Sequence, residues 1–129
     1  MPDAAINSFE DLDVWQMGMT LTVECYRLTA KFPVEERYGL SQQMRRAAVS
    51  IPSNIAEGHG LETTANYVKH LRIAQGSVKE LQTQLILSLR MEFASKAELD
   101  PLLNKCERIG KMVRSLIRKL QDKRDASEE

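Results

Sequence analysis

Tyr67-Val68-Lys69-His70-Leu71-Arg72-Ile73-Ala74-Gln75-Gly76-Ser77-Val78-Lys79-Glu80-Leu81-Gln82-Thr83-Gln84-Leu85 is the stretch that decides the fold. Tyr67, Leu71, Ala74, Val78, Leu81 and Leu85 are spaced 4, 3, 4, 3, 4. That spacing holds a line of apolar side chains on one side of an α-helix, the seam of a bundle. Thr63 or Thr64 supplies an N-cap, and the pattern runs on to Phe93, for a helix of about 45 Å. Near its end Ile86, Leu87 and Leu89 widen the apolar surface.

The same reading extends outward. On the N-terminal side, Leu40, Met44, Ala47, Ala48, Ile51 and Ile55 put a second helix at residues 40–57. Pro52 falls inside it, so the helix kinks there or breaks at Ser50-Ile51 and restarts. Gly58-His59-Gly60 reads as a helix end and turn. Phe32-Pro33 closes an earlier helix that starts near Phe9 and ends near Lys31. That first helix has two apolar series, Leu12, Trp15, Met19, Tyr26 and Val14, Leu21, Cys25, Leu28, Phe32, about 200° apart. A monomer's surface helix needs one such stripe, so the second calls for another subunit. On the C-terminal side, Leu99, Leu102, Leu103, Cys106, Ile109, Val113, Leu116, Ile117 and Leu120 predict a fourth helix. Its start is open between a Ser95–Glu98 capping box and an Asp100 cap with Pro101 in the first turn. The expected architecture is an all-α, antiparallel up-and-down four-helix bundle assembling as a ring-shaped homo-oligomer. Its parts are a flexible N-terminus at 1–8, a bundle at 9–121 and a charged flexible tail at 122–129.

Composition fits one such domain. Of 129 residues, 43% are hydrophobic and only 5% aromatic, so aliphatic side chains fill the core. The formal net charge is zero, but it is unevenly spread. Residues 1–36 carry seven acidic and two basic side chains, and residues 105–124 carry eight basic and two acidic ones. Cys25 and Cys106 lie in apolar helical patterns and read as small buried side chains rather than a disulfide framework. Residues 1–7 show no signal-peptide pattern, and no apolar run approaches a membrane span, so a cytoplasmic protein with no membrane partner is expected.

Several ordered strings carry a family resemblance. They are Phe32-Pro33, Glu36, Tyr38-Gly39-Leu40, Gln43-Met44-Arg45-Arg46-Ala47, Ser50-Ile51-Pro52-Ser53-Asn54-Ile55-Ala56-Glu57-Gly58 and Ile73-Ala74-Gln75-Gly76-Ser77-Val78-Lys79-Glu80-Leu81. From Phe9 to Leu120 the chain resembles the bacterial four-helix bundle proteins, also called the ribosomal RNA intervening-sequence protein family. Pro101 departs from the usual pattern early in the fourth helix. The resemblance implies a ring, commonly a homopentamer. It also implies similarity to the accessory variability determinant of diversity-generating retroelements, which binds a reverse transcriptase and nucleic acid. The implied partners are therefore further copies of the chain, RNA or DNA, and a reverse transcriptase or another protein.

The chemistry points to binding rather than catalysis. Neither His59 nor His70 has a Glu three residues before it, which excludes the paired Glu-x-x-His motif of di-metal bundles. There is no Cys-x-x-Cys, no phosphate-binding glycine loop and no base tied to a cysteine. No enzyme activity, cofactor or metal is expected. Ser50, Asn54 and Glu57 share one side of the second helix, and Ser77 and Glu80 one side of the third. These five form either a polar site countered by Arg45, Arg46 or Arg72, or a structural network fixing helix register; the residue types favour the network. Lys105, Arg108, Lys111, Arg114 and Arg118, spaced 3, 3, 3, 4, form a broad basic face on the fourth helix. It is a candidate surface for nucleic-acid backbone, or a solvated face near a helix C-terminus. No aromatic side chain interleaves with it, so base stacking is not expected there.

Overall fold

The structure is a computed structural model that describes residues 8–128, with side chains for residues 8–126. Four helices make up the fold: α1 Asp13–Thr29, α2 Leu40–His59, α3 Thr64–Arg90 and α4 Lys96–Glu128. Single 3-10 turns occupy Phe9–Asp11 and Val34–Glu36, and there is no strand among the described residues. Each helix packs on its neighbour in sequence, α4 closes back on α1, and the diagonal pairs do not meet. The chain is an antiparallel up-and-down four-helix bundle, as its short connections require.

The core is the set of apolar stripes read from the sequence. Leu21, Met44, Ile51, Ile55, Leu71, Leu81, Leu85, Leu99, Ile109 and Val113 are fully buried. Each such side chain contributes roughly 1.5–3 kcal/mol when removed from water. The α3 seam is buried from Leu71 to Leu85, with Tyr67 half-buried at its start. The two series on α1 divide. Val14, Leu21, Cys25, Leu28 and Phe32 face the core, while Leu12 and Trp15 pack at its edge and Met19 and Tyr26 stay exposed.

Helix ends follow from particular side chains. Ser8 caps the first 3-10 turn reciprocally with Asp11. Leu12 is extended, so the predicted first helix is divided there and ends at Thr29 rather than Lys31. Glu36 reaches forward so that its Oε2 accepts from the N–H of Leu40 at 3.0 Å, at the start of α2. A Cβ on Gly39 would lie 2.7 Å from that oxygen, so Gly39 makes room for the cap. Thr63 caps α3 by accepting from the N–H of Asn66. Glu92 holds φ at 61°, and the N–H of Phe93 turns back to the carbonyl of Ser88, which ends α3 at Arg90 rather than near Phe93. Ser95 and Glu98 form the reciprocal box that starts α4.

Pro52 and Pro101 both sit inside continuous helices, so α2 is not broken at Ser50-Ile51. Pro52 lacks the N–H that the Ala48 carbonyl would receive. Thr22 of α1 supplies the donor instead: its hydroxyl lies 2.7 Å from the carbonyl of Gly18 and 3.1 Å from that of Ala48. Gly18 packs beside Pro52, where an added Cβ would make an ordinary contact at 3.4 Å. Pro101 frees the carbonyl of Ala97 in the same way, but Ala97 is exposed and water can reach it. At the far end, α4 continues to Glu128 and takes in residues 122–128 of the predicted tail. No proline or glycine interrupts those residues, so nothing stops the helix. The predicted flexible N-terminus lies outside the described residues apart from Ser8, which is the cap of the first turn.

Candidate functional site

The five polar residues picked out on α2 and α3 separate into two groups. Ser77 donates to the Ser50 hydroxyl at 2.8 Å, and the amide nitrogen of Asn54 donates to the same hydroxyl at 3.0 Å and to the Ser50 carbonyl at 2.9 Å. With that nitrogen committed, the Asn54 oxygen faces His70 Nδ1 at 3.0 Å. Glu57 Oε2 stands 3.9 Å from the same ring nitrogen and is otherwise exposed. A polar chain thus runs from Ser77 through Ser50, Asn54 and His70 to Glu57 along the α2–α3 seam. Glu80 is not part of it; its carboxylate meets Gln84 Nε2 at 3.4 Å. Gly58 brings the helices together at the end of this chain, because a Cβ there would lie 2.9 Å from His70 Cβ.

His70 is a member of the chain that the sequence does not reveal. Ser88 and Gln84, both buried on α3, were missed too. Ser88 donates to the carbonyl of Gln84 at 2.8 Å, a bond that hydropathy spacing cannot reveal. Of the arginines expected as counter-charge, Arg45 and Arg46 line a groove that Ser50 also reaches, but none makes an ion pair with Glu57 or Glu80 among the described residues. Arg45 sits 4.6 Å above the Tyr26 ring and donates through Nε to Thr29 of α1 at 2.8 Å. Arg72 lines a groove on the other side of α3.

The basic face of α4 loses one member and gains two. Lys105 is half-buried against Glu24 of α1, 2.9 Å from Oε1, and so ties α4 to α1 rather than joining an open surface. Arg108, Lys111, Arg114 and Arg118 are exposed and make no ion pair among the described residues. Lys111 and Arg114 line a groove of about 420 Å³ between α3 and α4, opposite Arg72 and Lys79. One carboxylate, Glu107, also lines it. Sequence alone could not place the two α3 cations here, because helix adjacency decides it.

Other chemistry is sparse. No group of three His, Cys, Asp or Glu side chains among the described residues could hold a metal ion. Cys25 and Cys106 are free and buried. Burial pushes the Cys25 thiol up to about 11, opposed by Arg45, and burial pushes Cys106 up to about 12, so neither is a ready nucleophile. No described helix is long and apolar enough to cross a membrane.

A solved structure similar in fold is that of a protein of unknown function from the S23 ribosomal protein family of Bacteroides thetaiotaomicron. It superposes with a TM-score of 0.73 at 23% sequence identity, over 81% of this chain and 97% of that one. No curated protein matches the chain. The sequence model of the 23S rRNA-intervening sequence proteins matches residues 10–115, most of the bundle. The chain therefore belongs to the 23S rRNA-intervening sequence protein family.

Proposed function

We propose that this protein is a non-catalytic, self-associating cytoplasmic module that binds the phosphate backbone of RNA or DNA. The observation that carries this reading is the run of exposed cations on α4, Arg108, Lys111, Arg114 and Arg118, extended across the groove by Arg72 and Lys79 of α3. Cations without carboxylate partners attract phosphates by releasing condensed counterions. Such binding positions a nucleic acid and carries little sequence preference. Self-association is supported by exposed Met19, Val23, Tyr26 and Val49 on α1 and α2, together with Ile73, Ile86 and Leu87 on α3. Apolar side chains in that number are what copies of a chain hide from water by assembling. A ring, commonly of five copies, would repeat the basic run around its surface and multiply the field.

The test is fluorescence anisotropy with labelled RNA at several salt concentrations. Affinity should fall steeply with salt, and R108E/R114E/R118E should abolish binding. Binding that survives those reversals would overturn the reading.

A second reading, a scaffold that docks only a protein, has its own support. Tyr26, Tyr38, Arg37, Arg46 and Val49 surround an open groove of about 550 Å³ beside α2. Tyr and Arg are the side chains that dominate protein-interface energetics. A pull-down dominated by one protein, with no salt-sensitive RNA binding, would favour it.

A further inference from the structure

Two glycines of the bundle have a packing reason. A Cβ on Gly39 would strike Glu36 and one on Gly58 would strike His70, while one on Gly18 would only reach ordinary contact with Pro52. Gly76 and Gly110 have none, since a Cβ on either would meet nothing within 4 Å. Both lie inside helices, where glycine is destabilising by roughly 0.5–1 kcal/mol relative to alanine. Neither has a positive φ that would require glycine. Yet the two face the same space: Gly76 of α3 and Gly110 of α4 both line the groove that holds Arg72, Lys79, Lys111 and Arg114.

We infer that this groove is the seat of a single phosphodiester strand, its phosphates lying against the bare helix surfaces at Gly76 and Gly110. The inference rests on the nucleic-acid reading above and narrows it to a place and a strand form. Four cations flank the floor against one carboxylate, Glu107, so the occupant is anionic. The remaining polar walls, Gln75 and Gln82, add amide donors suited to phosphate oxygens. The apolar lining residues, Val78 and Cys106, are buried and offer no anchor for a protein partner. No aromatic side chain lines the groove, so bases are not stacked and sequence is not read. With no Cβ at either glycine, the floor between the cations is bare backbone, which leaves more room for a narrow chain.

The test fills the groove without changing its charge. The variant is G76L/G110L, assayed by anisotropy with a short labelled single-stranded RNA, with duplex RNA, inorganic polyphosphate and ATP as competitors. Binding of the single strand should weaken by about tenfold or more, with thermal melting no lower and sedimentation unchanged. For the wild type, single strands should compete better than duplex or ATP. R72Q/K79Q, which alters only exposed side chains, should give a comparable loss and keeps the test decisive if the leucines disturb folding. If G76L/G110L binds like the wild type while R108E/R114E/R118E does not bind, the groove is not the seat and the nucleic-acid reading stands. Wild-type protein that binds no RNA removes both. Better competition by polyphosphate or ATP than by any strand would identify a free phosphate ligand and overturn the strand. A change in subunit number in G76L/G110L would show that a second copy occupies the groove, and would overturn it too.

Discussion

At the scale of single residues, the glycines carry opposite meanings that composition cannot separate. Gly58 lies in the last turn of α2, at the helix end its Gly58-His59-Gly60 string marks, and there the backbone carbonyl of Tyr67 would be 3.2 Å from an added Cβ. Backbone cannot swing aside as a flexible side chain can. Gly58→Ala should therefore lower stability by about 1–3 kcal/mol. Gly76→Ala and Gly110→Ala should each raise it by about 0.4–1 kcal/mol, because nothing obstructs the methyl group. Thermal melts of the three variants check both signs. Local sequence is the same kind of signal in all three cases, and only the neighbouring helix tells them apart. The same limit explains His70. Its spacing from Asn54 has meaning only once α3 lies antiparallel to α2.

At the scale of elements, periodicity and caps were legible because both are written within a few consecutive residues. The α3 seam, the cap at Thr63 and the box at Ser95–Glu98 are of this kind. What α2 does about its proline was not legible, since the compensating hydroxyl belongs to another helix. Thr22→Val should destabilise the bundle by about 1–3 kcal/mol by leaving the Ala48 carbonyl without its cross-helix donor. In a Pro52→Ala background the restored N–H can serve that carbonyl, so the same change should cost less. A double-mutant cycle by chemical denaturation measures the difference, and equal costs in both backgrounds would exclude the coupling. Lys105 makes the complementary point. Its spacing placed it on the basic stripe, but a long side chain beside a helix–helix seam can turn inward to a carboxylate, as it does to Glu24.

At the scale of the whole molecule, the two thiols make stability sensitive to alkali. Burial raises both from 9.0, to about 11 for Cys25 and about 12 for Cys106. Well below pH 9.0 they are protonated whether the chain is folded or not, and their contribution is intact. As pH climbs beyond that, the unfolded chain sheds its thiol protons first and the folded state loses ground until its own thiols ionise. The melting temperature of the wild type should thus fall over this range more steeply than that of C25A/C106A. Parallel profiles would show that the thiols ionise alike in both states. Fold class and the basic surface were readable at this scale from charge and hydropathy. The groove between α3 and α4 was not, because its cations come from segments over thirty positions apart and meet only when the helices pack.

The polar chain between α2 and α3 fixes how the two helices line up. Greasy seams tolerate sliding, since one leucine resembles the next, and a helix displaced by a turn of about 5.4 Å still finds apolar neighbours. Sliding by one turn breaks both the hydrogen bond between Ser77 and Ser50 and the one between His70 and Asn54. A displaced hairpin forfeits both links together, so alignment of these helices is all-or-none, a lock with a single key position in an otherwise slippery interface.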